Sequence, residues 1–199
     1  IVIYMPGIRY TKLSGFTLVE AMVTVAIFAI LMVSATDIFL SIVRSQRNTL
    51  SSKNAQEAVN YALEVMSKEL RMAKVDDGYC GAAQKVYAVF DKNGQPVDSG
   101  NGSTIKFRNY EDECVVYELD NSNGRLKVTR NGSWAYMTPV NITINNLSFY
   151  VQYSDIQSEQ PLVTVRFILS YFNSETGQQT MQVQTSISSR SYENYEFGG

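Results

Sequence analysis

The chain lacks histidine altogether and has two cysteines and one tryptophan among its 199 residues. Without histidine it has no side chain whose ordinary pKa suits a general base near neutral pH. Two cysteines cannot by themselves complete a four-ligand zinc site. The sequence also contains no phosphate-binding glycine loop, no Gly-x-Ser-x-Gly motif and no dinucleotide-binding fingerprint. We therefore expect no catalytic residues, no cofactor and no metal.

The two signs of charge nearly balance. The chain has 17 Lys+Arg against 19 Asp+Glu, so bulk charge does not favour a nucleic-acid partner. Asp91, Asn93 and Asp98 resemble the start of a calcium-binding loop. The closing glutamate and the remaining ligand positions of an EF-hand are missing, however. We interpret this segment as a solvated hairpin tip.

Glycine and proline are also absent from Phe16 to Asp77, which removes the usual helix breakers. No charge occurs from Ala21 to Thr36, and the 16–43 segment is long enough to cross ~30 Å of hydrocarbon as a helix. The 44–76 segment is amphipathic, with apolar residues at three- and four-residue steps. These are Ala55, Ala58, Val59, Ala62, Leu63, Met66, Leu70 and Ala73. The pattern predicts one helix from about residue 17 to 75.

The 77–199 segment has the composition of strands separated by turns. Seven segments are rich in Val, Ile, Thr, Tyr and Phe. They are Gln84–Phe90, Thr104–Tyr110, Cys114–Leu119, Arg125–Arg130, Ile142–Tyr153, Leu162–Phe172 and Met181–Ser189. Short connections predict an antiparallel sheet, and its apolar face needs a cover, which the helix face can supply. The expected fold is α+β, a long N-terminal helix packed on a β-rich head.

A short basic leader precedes the apolar helix. Residues 1–15 carry Arg9 and Lys12 and no acid, which favours a cytoplasmic location for this end. Gly15 is followed by Phe16-Thr-Leu-Val-Glu20, and this order resembles the class III signal of type IV pilins and pseudopilins. The resemblance implies cleavage by a prepilin peptidase between Gly15 and Phe16, followed by N-methylation of Phe16. The alternative is a simple signal anchor with an accidental acid at its edge.

Glu20 is an acid at the edge of a membrane-length segment. A carboxylate at a bilayer centre costs roughly 2.5–3.5 kcal/mol on insertion scales, so it needs an edge position or a partner. In the pilin family the carboxylate at this position is thought to pair with the free N-terminal amine of a neighbouring subunit. The resemblance therefore implies that Glu20 sets the register of assembly.

The head resembles one branch of the family. Residues 57–73 and 185–190 are similar to the helix and last strand of W-type minor pilins and J-type pseudopilins. The resemblance implies a minor subunit, anchored by a single pass in the bacterial cytoplasmic membrane with its head outside the cytoplasm. The implied partners are other pilin or pseudopilin subunits, the prepilin peptidase and the membrane assembly platform with its ATPase. The choice between a pilus, a competence system and type II secretion stays open.

Each of three features of the head has two competing interpretations. Because disulfides persist outside the cytoplasm, we expect Cys80 and Cys114 to be bridged, with two free thiols as the alternative. Trp134 is interpreted as the anchor of a small sheet core, with an exposed contact patch as the alternative. The aromatic tail at residues 192–197 is interpreted as a frayed terminus, with docking on a neighbour as the alternative.

Two other classes of function compete with a structural subunit. One is a pilus-tip binding module for adhesion or DNA uptake, which a clustered basic or aromatic patch on the head would favour. The other is a single-pass membrane-anchored protein with an enzymatic head, which an uncut leader and a deep polar cleft would favour.

Overall fold

The computed structural model describes residues 15–81, 83–97, 100–152, 160–173 and 176–190. This part of the chain holds one helix, α1 (Leu18–Arg71), followed by ten strands. The strands are β1 (Ala88–Phe90), β2 (Pro96–Val97), β3 (Gly100–Gly102), β4 (Thr104–Arg108), β5 (Cys114–Asp120), β6 (Arg125–Arg130), β7 (Ser133–Tyr136), β8 (Ile142–Gln152), β9 (Leu162–Asn173) and β10 (Gly177–Ser188). The α+β fold of one long helix and antiparallel sheets is therefore confirmed.

The chain divides into two compact units, Ile1–Ser45 and Gln46–Gly199. In the second unit, the helix buries one face. Its fully buried side chains follow the predicted three- and four-residue steps, at Ala55, Val59, Ala62, Met66 and Leu70. This face and the inward sides of the strands form one apolar core.

Helix α1 ends at Arg71, earlier than the predicted residue 75. The reason is a competing backbone partner in the sheet. The Lys74 N–H donates to the Arg108 carbonyl at 2.9 Å and forms an isolated bridge with it. Residues just after Arg71 are therefore drawn toward strand β4.

The strands form two sheets rather than the single sheet predicted. The six-stranded sheet has the order β2-β1-β4-β5-β6-β7, and the four-stranded sheet has the order β10-β9-β8-β3. The chain passes from β3 in one sheet to β4 in the other through Ser103 alone. Gly102 permits this crossing, because a Cβ there would lie 2.6 Å from the Phe90 backbone oxygen.

Several strand boundaries differ from those predicted. Strand β1 begins at Ala88, since Gln84 has a left-handed backbone with φ 63° that interrupts an extended strand. Strand β4 ends at Arg108, because the Asn109 side-chain oxygen accepts hydrogen bonds from the Glu111 and Glu113 N–H groups and closes a turn. Strand β10 begins at Gly177, four residues before its predicted start. The short strands β2, β3 and β7 were not predicted.

Candidate functional site

The junction between the predicted leader and the apolar helix, at Gly15 and Phe16, has few packing contacts. Gly15 is the first residue the structure describes, so Arg9 and Lys12 of the predicted leader lie outside the described residues. A Cβ at Gly15 would meet nothing within 4 Å, and the Phe16 side chain is 70 % exposed. Packing among the described residues therefore does not require glycine or phenylalanine at these positions.

Glu20 lies in the first turn of helix α1. Thr17 precedes the helix, and its Oγ1 accepts a hydrogen bond from the Glu20 N–H at 3.3 Å. Thr17 and Glu20 thus have the spacing of a capping box, in which a threonine side chain satisfies an unpaired N–H of the first turn. An acid in this turn also complements the positive end of the helix dipole. Glu20 therefore has a local helix-starting role besides any role in assembly.

Every apolar residue of helix α1 within the first unit is exposed except Val43, which is half-buried. Hydroxyl side chains of this segment bond back to the helix: Thr24 donates to the Ala21 carbonyl at 2.9 Å and Thr36 to the Met32 carbonyl at 2.8 Å. Such bonds satisfy the hydroxyl groups within the helix, which matters in a membrane because lipid hydrocarbon offers no hydrogen-bond partner. By length and composition, α1 could cross a membrane, and this is consistent with membrane anchoring.

A comparison with known families identifies this segment. Residues 11–36 match the family described as the prokaryotic N-terminal methylation motif. The chain carries a type IV pilin-like prepilin signal. The prepilin signal supports a pilin- or pseudopilin-like precursor, and it implies processing by a prepilin peptidase and assembly with other pilins. No curated protein and no solved structure matches the chain.

A disulfide ties the segment after helix α1 to the sheet. Cys80 and Cys114 are bonded, with their Cα atoms 5.3 Å apart. The carboxylate of Asp76 holds the same segment, accepting the Cys80 N–H at 3.0 and 3.1 Å. Asp76 is completely buried, although its place in an Asp-Asp-Gly turn signal does not predict burial. Because the buried carboxylate is satisfied by hydrogen bonds to the backbone, Asp76 has a structural role.

A polar network joins helix α1 to the six-stranded sheet in the second unit. Glu69 pairs with Arg130 at 2.7 Å and accepts a hydrogen bond from the Tyr117 hydroxyl. The pKa of the Tyr117 phenol is raised, chiefly by burial and secondly by the negative charge of Glu69. The phenol therefore stays protonated and acts as a donor. No local sequence pattern predicts this network, because only the fold brings these three residues together.

Trp134 was predicted in the core, and this is wrong: its side chain is 59 % exposed. Asn131 and Gly132 form a two-residue turn with positive φ angles of 46° and 86°. That turn pairs Trp134 with Thr129 and Ala135 with the buried Val128. Ala135 therefore lies on the same face as Val128, although it is exposed at this edge of the sheet, and Trp134 lies on the opposite, outward face of β7. The signal that could have shown this is the Asn-Gly turn together with the alternation of polar and apolar residues in β6, which precedes it.

An aromatic and polar cluster surrounds Trp134. Its ring meets Tyr136 edge-on at 5.2 Å between centroids. The Tyr136 hydroxyl donates to Asp120 at 2.5 Å, and the Asn123 side chain donates to the same carboxylate at 2.9 Å. These hydrogen bonds lower the pKa of Asp120 to about 2. Asp120 is therefore a carboxylate throughout the physiological range.

The remaining candidate residues have structural settings. Asp91 Oδ1 accepts hydrogen bonds from the Asn93 and Gln95 N–H groups, each at 2.8 Å, which is the geometry of a turn. Asp98 and the tail at residues 192–197 lie outside the described residues. Within the ranges given above, no group of three or more His, Cys, Asp or Glu side chains is placed to hold a metal ion.

Proposed function

We propose that the chain is a minor pilin or pseudopilin, a structural subunit that joins or primes a filament after its leader is removed. The observation that carries the proposal is the prepilin signal at residues 11–36 on an exposed apolar helix. The resemblance of residues 57–73 and 185–190 to W-type minor pilins and J-type pseudopilins supports the finer assignment to a minor subunit. The prepilin signal suggests a structural role rather than an enzymatic one.

The proposed maturation begins with cleavage between Gly15 and Phe16. A Cβ at Gly15 would meet nothing within 4 Å, so packing does not require glycine there. In the proposal, glycine is needed at this position because the peptidase recognises it. Cleavage creates the free amine of Phe16, which is then methylated. Before cleavage, the single-pass anchor holds the precursor in the cytoplasmic membrane with its head outside, where the disulfide persists.

Assembly then requires the exposed apolar helix to exchange lipid for other subunits. Its side chains are exposed within the chain itself, so in a filament they can pack against the helices of neighbouring subunits. Glu20 would meet the Phe16 amine of a neighbour in this apolar surrounding. Because each charge left alone there is strongly unfavourable, the pair fixes one register between subunits.

The first test is the N-terminus of the protein made with and without an active prepilin peptidase. We expect intact mass and N-terminal sequencing to show a chain beginning at Phe16 and heavier by one methyl group, only when the peptidase is present. A chain that still carries Leu13-Ser14-Gly15 beside an active peptidase would contradict the proposal. It would favour a membrane-anchored head unconnected with filaments.

The second test separates register from anchoring. We expect Glu20→Ala to be inserted and cleaved normally but lost from sheared filaments, since removing one partner of a buried ion pair costs about 3–5 kcal/mol. Asp37→Asn is the matched control, because it removes the other acid of the same apolar segment. Equal loss of both variants from filaments would show that Glu20 has no special role.

A further inference from the structure

A cleft lies on the outward face of the six-stranded sheet. Its volume is about 500 Å³. Strand register places its side chains together, because Glu118 is paired with Lys127 and Lys127 with Tyr136 across three neighbouring strands. The loop after β5 adds Asn121 and Ser122 at one end.

The cleft is held in shape by contacts among its own side chains. Glu118 and Lys127 form an ion pair at 2.9 Å, and Asp120 accepts the Tyr136 hydroxyl at 2.5 Å. Tyr136 is further fixed by Arg125, whose guanidinium lies 4.1 Å from the ring centroid. Trp134, in contrast, is more than half exposed: Tyr136 meets it edge-on, and the Lys127 ammonium lies over the ring at 5.7 Å from its centroid. The arrangement presents one large ring beside polar groups that are already oriented, which lowers the entropy cost of binding.

We propose that this cleft is a binding site for an uncharged saccharide. A sugar ring has a face of C–H groups, which stack on the negative face of an indole, and an edge of hydroxyl groups, which need hydrogen-bond partners. Trp134 supplies the first surface. Asp120, Asn121 and Ser122 supply acceptors and donors for the second, and hydrogen bonds to a carboxylate are the stronger kind.

The charges of the cleft argue for a neutral sugar over other ligands. The two carboxylates that line it are offset by Lys127 and by nearby Arg125, so the cleft has no excess positive charge to attract the phosphates of nucleic acid or acidic sugars. A stable protein partner needs roughly 800 Å² of each surface with an apolar centre. Among the described residues that line the cleft, Leu119 is the one wholly apolar side chain, and the Trp134 indole carries an N–H donor. This small apolar content suits a small ligand better than a protein. This inference does not depend on leader processing or filament assembly.

Trp134 is the only tryptophan of the chain, so fluorescence excited selectively at tryptophan, beyond the absorption of the tyrosines, reports on this cleft alone. The experiment uses the full chain in a detergent without a sugar headgroup. Maltotriose, cellotriose, chitotriose and mannotriose are titrated up to about 10 mM, which saturates a site with a Kd near 1 mM. We expect a saturable change in tryptophan emission with at least one of these probes.

Variants then locate the binding by saturation-transfer NMR with the same probe. We expect Trp134→Ala to weaken binding about tenfold or more, and Trp134→Phe to give an intermediate loss, since a smaller ring remains. Phe172→Ala is the matched control, because Phe172 is an exposed aromatic of the four-stranded sheet. It should bind as the unmodified chain does.

Three outcomes would overturn the inference. One is the absence of a saturable response to every probe, and another is unchanged binding by a folded Trp134→Ala variant. The third is a loss of filament incorporation in Trp134→Ala without binding of any probe, which would make the cleft a contact between subunits.

Discussion

Glu69 shows at the scale of one residue how the head holds its helix. Its side chain is 14 % exposed and serves both the Arg130 guanidinium and the Tyr117 hydroxyl. Removing it leaves a partly buried cation and a buried hydroxyl without this partner. Because unsatisfied groups cost more than a hydrogen bond contributes, the loss exceeds that of an ordinary surface ion pair.

We predict that Glu69→Ala lowers the free energy of unfolding by about 2–3 kcal/mol. Glu64→Ala, on an exposed position of the same helix, should change it by less than about 0.5 kcal/mol. Urea unfolding of the full chain in detergent, followed by the β-sheet circular dichroism signal, measures both. If the two variants were equally stable, the network would have no net stabilising effect.

Asp120 gives a prediction about pH. Its pKa in the folded chain is about 2 and its ordinary value is 3.8, so folding favours the ionised form. The stabilisation is present above the unfolded pKa and is lost as pH falls from about 4 to about 2.

We therefore predict that Asp120→Asn flattens the fall in stability across that pH window. The difference in melting temperature between the unmodified chain and the variant should be largest above pH 4 and shrink toward pH 2. Melting curves at several pH values measure it. A difference that stays constant with pH would mean that Asp120 does not titrate with folding.

At the scale of elements, the disulfide fastens the segment after helix α1 to the start of strand β5. The bonded cysteines are 34 residues apart. On the chain-entropy model a loop of this size contributes about 3–4 kcal/mol. We predict that the Cys80→Ser, Cys114→Ser double variant loses stability of this order and is cleaved faster by protease between residues 76 and 87. Unchanged stability and cleavage would show that Asp76 and the core hold the segment without the bridge.

The sequence predicted elements whose periodicity is strong and missed those that depend on context. The buried helix positions and strand Arg125–Arg130 occur as predicted, because apolar spacing and β-branched composition are local signals. The division into two sheets was missed, because the chain crosses from one to the other at Gly100–Gly102 and Ser103, a segment without strand composition. Trp134 was misplaced by residue type, although the preceding turn decides which face it takes.

At the scale of the whole molecule, the two units differ in what covers their apolar surface. The second unit, Gln46–Gly199, buries the Ala55–Leu70 face in its own core. The apolar helix of the first unit is exposed, so it needs lipid, detergent or other subunits. Folding of the head and burial of the N-terminal helix are therefore separable problems.

We predict that a chain of residues 46–199, exported to an oxidising compartment, folds as a soluble monomer with a cooperative melting transition. A chain of residues 72–199 is the matched control: it lacks the five buried side chains between Ala55 and Leu70, which leaves apolar sheet surface uncovered. That shorter chain should aggregate or melt without cooperativity, as measured by light scattering and circular dichroism. If the longer fragment also failed to fold, the N-terminal helix would contribute to the stability of the head as well as to anchoring, and assembly could not be treated apart from folding.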